Sequence, residues 1–347
     1  MAETKETILN RMLNRIDSSY DTAEGSFFYD LNSPAAIEIN KLQSKADEVL
    51  KHRFVTTAIG EYLTKICAEM GVNRNAATYA TGTVLIKGIP GSLINKGEKV
   101  SSDLINFLFI ENKVVPESGE ITINIECETK GPIGNLPIGT IKSFPKTLEG
   151  LQSVENREPT SGGYEEETDE SLRERYFIKV RTPATSGNKY HYLGWAREVS
   201  GVGGAKVVPL WSGNGTVKVI IIDSNKKAAN EKLIKSTFDN IENQRPIGAT
   251  VTVVSGVEKL LTISVKIILA NGYPLNQVKN NIKSAIEKYL SDQAFKITYV
   301  SIAKIGNLIL NTEGVVDYEN LKINNSSSNY SLNDDEIAVL NNIDLVV

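Results

Sequence analysis

The run from Gly162 to Val254 constrains the fold most, because its apolar period switches between helical and extended several times, with a turn or cap at each switch. Thr168 stands as a helix N-cap, with Asp169 and Glu170 in the first turn, where the helix dipole favours negative charge. Leu172, Tyr176, Phe177 and Val180 then repeat at helical spacing, and Pro183 ends the helix. A second helix is expected over Lys189–Val199, with Tyr192, Leu193, Ala196 and Val199 inward and Gly201 closing it. Two strands follow, Ala205–Pro209 and Thr216–Ile222, joined by the turn residues Ser212, Gly213, Asn214 and Gly215. A helix from about Lys226 to Asn243 and a strand over Thr250–Val254 complete a compact α/β unit.

Upstream, residues 5–16 read as a helix with Ile8, Leu9, Met12, Leu13 and Ile16 on one side. An aromatic loop with Tyr20, Phe27, Phe28 and Tyr29 follows, and such a loop must dock on something. Ser33 and Pro34 signal the start of a long helix running to about Thr57. Within it Ile39, Leu42, Ala46 and Val49 repeat with the spacing of a coiled-coil seam. That seam packs either on residues 5–16 of the same chain or into a bundle with other chains. A third helix spans about Glu61–Met70 and stops at Gly71. From Ala77 to about Pro159 apolar and polar residues alternate between Gly, Pro and Asn turns, the pattern of antiparallel β-structure. There Ile121, Ile123 and Ile125 face one side, and Thr122, Asn124 and Glu126 the other.

After Val254 a second α/β unit begins. A β-branched strand over Lys259–Ala270 leads to a helix from Pro274 to about Leu290, with Val278, Ile282, Ala285, Ile286 and Tyr289 inward. Another helix covers Ser301–Leu310, then a strand follows Glu313, and Glu336–Val347 supplies a last one. In both units a helix followed by Gly-Val leads into a strand, and a strand is followed by a long helix, but in opposite order. The two therefore read as a permuted repeat of one split β-α unit.

Catalytic signatures are missing. The chain has two histidines: His52 reads as solvated, and His191, between two tyrosines, as a packing or hydrogen-bonding residue. No Gly-x-Ser-x-Gly elbow occurs. The glycine-rich segment from Ser200 to Lys206 follows a helix and opens a strand, the reverse of a phosphate-binding loop. The acidic run Glu165–Glu170 lacks calcium-loop spacing and reads as a charged helix start. Asp223 ends a strand without an evident partner. Cys67 reads as a buried helix residue and Cys127 as a strand residue, with neither disulfide nor metal site expected. Trp195 falls on a core stripe. Trp211, in a turn, either contacts a partner or packs over its own loop. No catalytic, cofactor or metal residue is assigned.

The 347 residues exceed one ordinary core, and a formal charge of −4 suggests neither a nucleic-acid groove nor an anionic-membrane partner. The N-terminus is amphipathic and charged, unlike a signal peptide, and no apolar run is long enough to span a bilayer. Synthesis and folding in a cytoplasm are expected.

The ordered set of segments ETDESLRER, YHYLGWAREVSGV, KVVP, GNGTVKV and RPIGATVTV resembles the baseplate J-like family of contractile phage tails and phage-derived bacteriocins. EGSFFYDLNSPAAIE and ATGTVLIKGIPGSLINKGEKV, further upstream, agree with it. The resemblance implies a multidomain α+β fold: an N-terminal helical region (1–75), an antiparallel β domain (76–160), a central α/β domain (161–256) and a C-terminal α/β domain (257–347). It implies a structural baseplate wedge subunit, assembled in the bacterial cytoplasm into a tail or tail-like particle. Its partners would be other wedge subunits, further copies of itself, the central hub and sheath-initiating proteins. The expected partner-interface residues are Ile39, Leu42, Ala46, Val49, Phe27, Phe28 and Trp211. The alternative is a β-rich receptor- or polysaccharide-binding tail protein.

Overall fold

The computed structural model describes residues 2–181 and 187–347; Pro183, expected to end a helix, lies outside them. The contacts divide the chain into two units, one made of the chain up to Arg74 with Thr168–Phe177, the other of Asn75–Glu167 with Ile178–Val347.

The first unit is helical. Helix α1 spans Lys5–Leu13 and α2 Phe27–His52. The aromatic loop is thus a helix start. Ser26, not Ser33, is the cap, its hydroxyl accepting from the Tyr29 N–H, with Gly25 at φ +88° entering the turn. Pro34 lies inside α2 rather than at its start. The two helices share a small core of Ile8, Leu9 and Ala36, with Met12, Leu13, Tyr29 and Ile39 around it. Polar ties lock the pairing: Asn40 Nδ2 donates to the Glu3 carbonyl at 2.6 Å, and the Glu3 N–H donates to Gln43 Oε1 at 2.8 Å.

Helix α3 (Gly60–Glu69) has no side-chain cap of its own. Its first N–H donates to Asp169 Oδ2 at 2.8 Å, at the start of α4 (Asp169–Arg181). Leu172, Tyr176 and Phe177 of α4 pack on Val55, Ala58, Leu63 and Cys67. The stripe expected to serve the central α/β unit thus covers α3, and Val180 is exposed rather than inward. The Arg173 guanidinium donates to the carbonyls of Val55 and Ala58. His52 is not solvated: its ring stacks on Tyr62 with centroids 4.2 Å apart.

The second unit opens with strands β1 (Tyr79–Gly88), β2 (Leu93–Ile94), β3 (Lys99–Ser101), β4 (Asn106–Phe109), β5 (Lys113–Val114), β6 (Glu120–Lys130) and β7 (Leu151–Glu155). Five of them form an antiparallel sheet, ordered β3-β4-β6-β1-β7, that curls into a nearly closed barrel. Along β6 the alternation holds, with Ile123, Ile125 and Cys127 buried against Val84, Ile86, Phe107 and Phe109. The connector after β6 is pinned by two buried polar side chains. Asn156 Oδ1 accepts from the Ile141 N–H while its Nδ2 donates to the carbonyls of Pro137 and Glu158. Thr160 Oγ1 donates to the Gly134 carbonyl and accepts from the Leu136 N–H. Each replaces water that burial has removed.

Next come α5 (Lys189–Glu198), β8 (Val202–Pro209), β9 (Thr216–Asp223), α6 (Glu231–Glu242) and β10 (Thr250–Ser255). Helix α6 starts five residues later than the spacing suggests, because Lys226 has φ +60° and Asn230 is the cap. Tyr192 and Ala196 of α5 and Leu233 and Ile241 of α6 pack on Val219, Ile221, Val251 and Val253. The last segment holds β11 (Val257–Leu269), α7 (Leu275–Asp292), β12 (Tyr299–Val300), α8 (Ile302–Leu310), β13 (Val315–Ile323), β14 (Tyr330–Ser331) and β15 (Glu336–Val346). The two α/β segments match in topology. In each three-stranded sheet the middle strand, β9 or β11, has one antiparallel neighbour, β8 or β13, and one parallel neighbour, β10 or β15. The helix-strand pair α5-β8 precedes its middle strand, whereas α8-β13 follows it: the permuted repeat read from the sequence.

Candidate functional site

Helix α2 carries most of the residues singled out in the sequence. Ile39 is half-buried against α1, whereas Leu42 and Val49 are each 68% exposed and Ala46 is exposed. The seam therefore splits between two faces. Phe27 is 73% exposed at the helix start, and Leu31 is also exposed. At 3.6 residues per turn Phe27, Leu31, Leu42 and Val49 fall within about 60° of one another, on a stripe beside the α1-facing one. Phe28 is half-buried, its ring edge-on to Tyr20 at 5.1 Å and to Phe27 at 5.4 Å. Leu50 and Phe54 extend the exposed apolar surface past the seam. Leu31 was legible one turn after Phe27 once Ser26, with Asp30 in the first turn, is recognised as a helix start.

Trp211 occupies a second surface, at the turn between β8 and β9. It is 44% exposed, and the Lys218 ammonium sits 5.2 Å from its ring centroid. Leu210 beside it is exposed and held at φ +57°, a left-handed conformation costly for a branched side chain, about 1 kcal/mol or more. The Thr250 N–H donates to the Gly215 carbonyl, so the α6–β10 loop abuts this turn, and its Ile247 is fully exposed. Trp211 is thus half-exposed, with its ring against Lys218.

The groups weighed for chemistry are held structurally. The His191 ring stacks on Trp195 with centroids 4.9 Å apart, and its Nδ1 accepts from the Gly187 N–H at 3.0 Å. Asp223 ends β9 with its Oδ1 accepting from the Lys227 N–H at 2.8 Å. Burial pushes its carboxyl up to about 6; the N–H groups of Lys227 and Asn225 and the Lys227 charge offset this only partly, and Glu258 adds to it. Burial likewise pushes Tyr164 up to about 12, with the Asp223 charge contributing. Cys67 and Cys127 are buried free thiols. Among the described residues no group of three or more His, Cys, Asp or Glu side chains is placed to hold a metal ion, and no helix is long and apolar enough to cross a membrane. A groove of about 450 Å³ runs between the barrel and α6, past Thr78, Tyr79, Lys130, Asn230 and Lys232.

A helical unit with an outward apolar stripe, a barrel-like sheet and two permuted split β-α units define a multidomain α+β protein whose distinctive features are surfaces. The chain belongs to the baseplate J-like family. Residues 83–163 match the baseplate J-like protein barrel domain, 184–255 the central domain and 261–346 the C-terminal domain. The chain is 37% identical to the phage-like element PBSX protein XkdT of Bacillus subtilis, over 99% of this chain and 98% of that protein. It is 29% identical to the baseplate protein gp47 of Escherichia phage Mu over 49% of this chain and 48% of that one. Among solved structures, a chain of the anti-feeding prophage baseplate aligns over 97% of both chains with a TM-score of 0.39 and 8% identity.

Proposed function

We propose that the chain is a structural wedge subunit of the baseplate of a contractile tail or tail-like particle, and that α2 joins it to its neighbours. The observation that carries this reading is the stripe of Phe27, Leu31, Leu42 and Val49, left in solvent on a helix whose other face is already covered. Exposed apolar surface of this extent marks an interaction site, and a helix presenting it fits a bundle or groove. Membership of the family supports a setting among other baseplate proteins, and the partners proposed there are other wedge subunits, further copies of this chain, the hub and the sheath-initiating proteins. The four parts 1–75, 76–160, 161–256 and 257–347 serve as modules of that assembly, with several modest interfaces that repack when the ring rearranges and releases the sheath. The role is structural, without catalysis.

The test is co-expression with the other baseplate proteins of the same particle, followed by mass determination of the purified complex. The wild-type chain is expected in a defined hetero-complex with more than one copy of itself, and Leu42→Asp/Val49→Asp is expected to stay folded but unassembled. Normal assembly of that variant would overturn the α2 reading. A self-sufficient trimer that binds cells would replace the wedge with the receptor-binding alternative.

A further inference from the structure

We infer that the outer edge of β15 is a docking site for an extended, acidic segment of a partner chain. This does not depend on α2. Among the described residues the C-terminal sheet ends at β15, which is paired on one side only, to β11. From Val257↔Glu336 to Leu261↔Leu340 the ladder runs without a shift, and the bulge comes only after Leu340. That leaves a regular edge over Ala338–Leu340 whose outward peptide groups make no hydrogen bond among the described residues. The opposite edge, β13, is treated differently: its ladder to β11 shifts twice, and Asn320 within it has φ +56°. Bulges and twists of that kind blunt an edge against further pairing; along the groove the β15 edge has one only at its end, past Leu340.

A groove of about 490 Å³ runs along this edge. It is lined by Ala338, Val339 and Leu340 of β15, by Lys288 and Leu290 of α7, and by Lys227. An unpaired strand beside a helix is the geometry that accepts an added strand, with main-chain bonds giving affinity and flanking side chains giving selectivity. The flanking charge is positive. Lys227 and Lys288 are exposed and form no salt bridge among the described residues, although the Lys227 charge also acts on the largely buried Asp223 carboxyl. Glu287, the carboxylate of the groove, already faces Lys283 at 3.9 Å, and the Lys226 ammonium donates to the Gly203 carbonyl. An extended segment alternating apolar and acidic residues satisfies both the edge and the two lysines.

The test uses the full chain and a fluorescein-labelled heptapeptide alternating valine and glutamate, beside its lysine counterpart. Fluorescence anisotropy is expected to show binding of the acidic peptide at least about tenfold tighter than the basic one. The variant Lys227→Glu/Lys288→Glu, at exposed positions, is expected to invert that preference. Hydrogen exchange at Ala338–Leu340 is expected to slow in the acidic complex. Absence of binding, equal binding of both peptides, an unchanged preference in the variant, or binding without slowed exchange would each overturn the proposal. A dimer of this chain that the peptide dissolves would replace the partner with a second copy.

Discussion

Helices α2 and α7 carry comparable apolar patterns and meet opposite fates. In α7, Val278, Ile282, Ile286 and Leu290 repeat every fourth residue, and all four are buried against the chain's own sheet. In α2, Ile39, Leu42, Ala46 and Val49 repeat as regularly, yet only Ile39 reaches the core and Ala36 is the one buried residue of the helix. The difference lies in what the chain provides to pack against. Beside α7 lie β15 and α8, in one core shared with the three-stranded sheet; beside α2 lies the nine-residue α1. Apolar spacing specifies which face of a helix seeks burial, and the partner's size decides whether the chain itself can supply it.

The contrast can be broken most directly in α7. Ile282→Ala leaves a cavity in a close-packed core and is expected to cost about 2–5 kcal/mol, read as a fall in urea midpoint or Tm. A loss below 1 kcal/mol would mean that the α7 core is as loose as that of α2.

The dryness of the body's interior is checked at Asp223. Its folded value, about 6, lies above the ordinary 3.8, so the stability it contributes is fully present below pH 3.8 and is lost as pH rises through about 6. Asp223→Asn is expected to raise stability near pH 7.5 by about 2 kcal/mol, discounted for residual solvent, and to change little at pH 3.5. Denaturant titrations at the two pH values measure this, and a pH-independent difference would contradict a buried charge.

The satellite core of α1 and α2 is expected to respond more weakly. Ile8→Ala should cost about 1–2 kcal/mol, because a site with few neighbours collapses more completely. Amide exchange should quicken in α1 and α2 while the β-sheets stay protected, whereas global unfolding would show the two units to be one cooperative body.

The smallest effect on the isolated chain sharpens the comparison most. Leu42→Asp/Val49→Asp should shift stability by less than about 0.5 kcal/mol, since both side chains already meet water. A loss as large as that of Ile282→Ala would show that the stripe is core after all.

Much of this was legible beforehand. Alternation in β6, the helical repeat of α7 and the Thr168 cap are local, short-range signals, and the structure follows them to within a few residues. The permuted repeat was legible too, because both copies carry a helix leading through Gly-Val into a strand. The start of α2 was misread because Pro34 imitates a first-turn proline, while the true cap, Ser26, sits in an aromatic segment that resembles a loop. Of the candidate surfaces, Trp211 was visible as a turn tryptophan; the approach of the α6–β10 loop, with its exposed Ile247, to the β8–β9 hairpin was not.

The sequence by itself determined most of the elements, the inward faces of those that pack on their own sheet, and the family, because dihedral preference, capping and apolar period act over a few residues. Only the tertiary structure decided that α4 covers α3, that His52 stacks on Tyr62, and that the α2 seam divides between core and solvent. Those outcomes depend on which surface reaches a given stripe, a contact between residues far apart in the chain that no local pattern encodes.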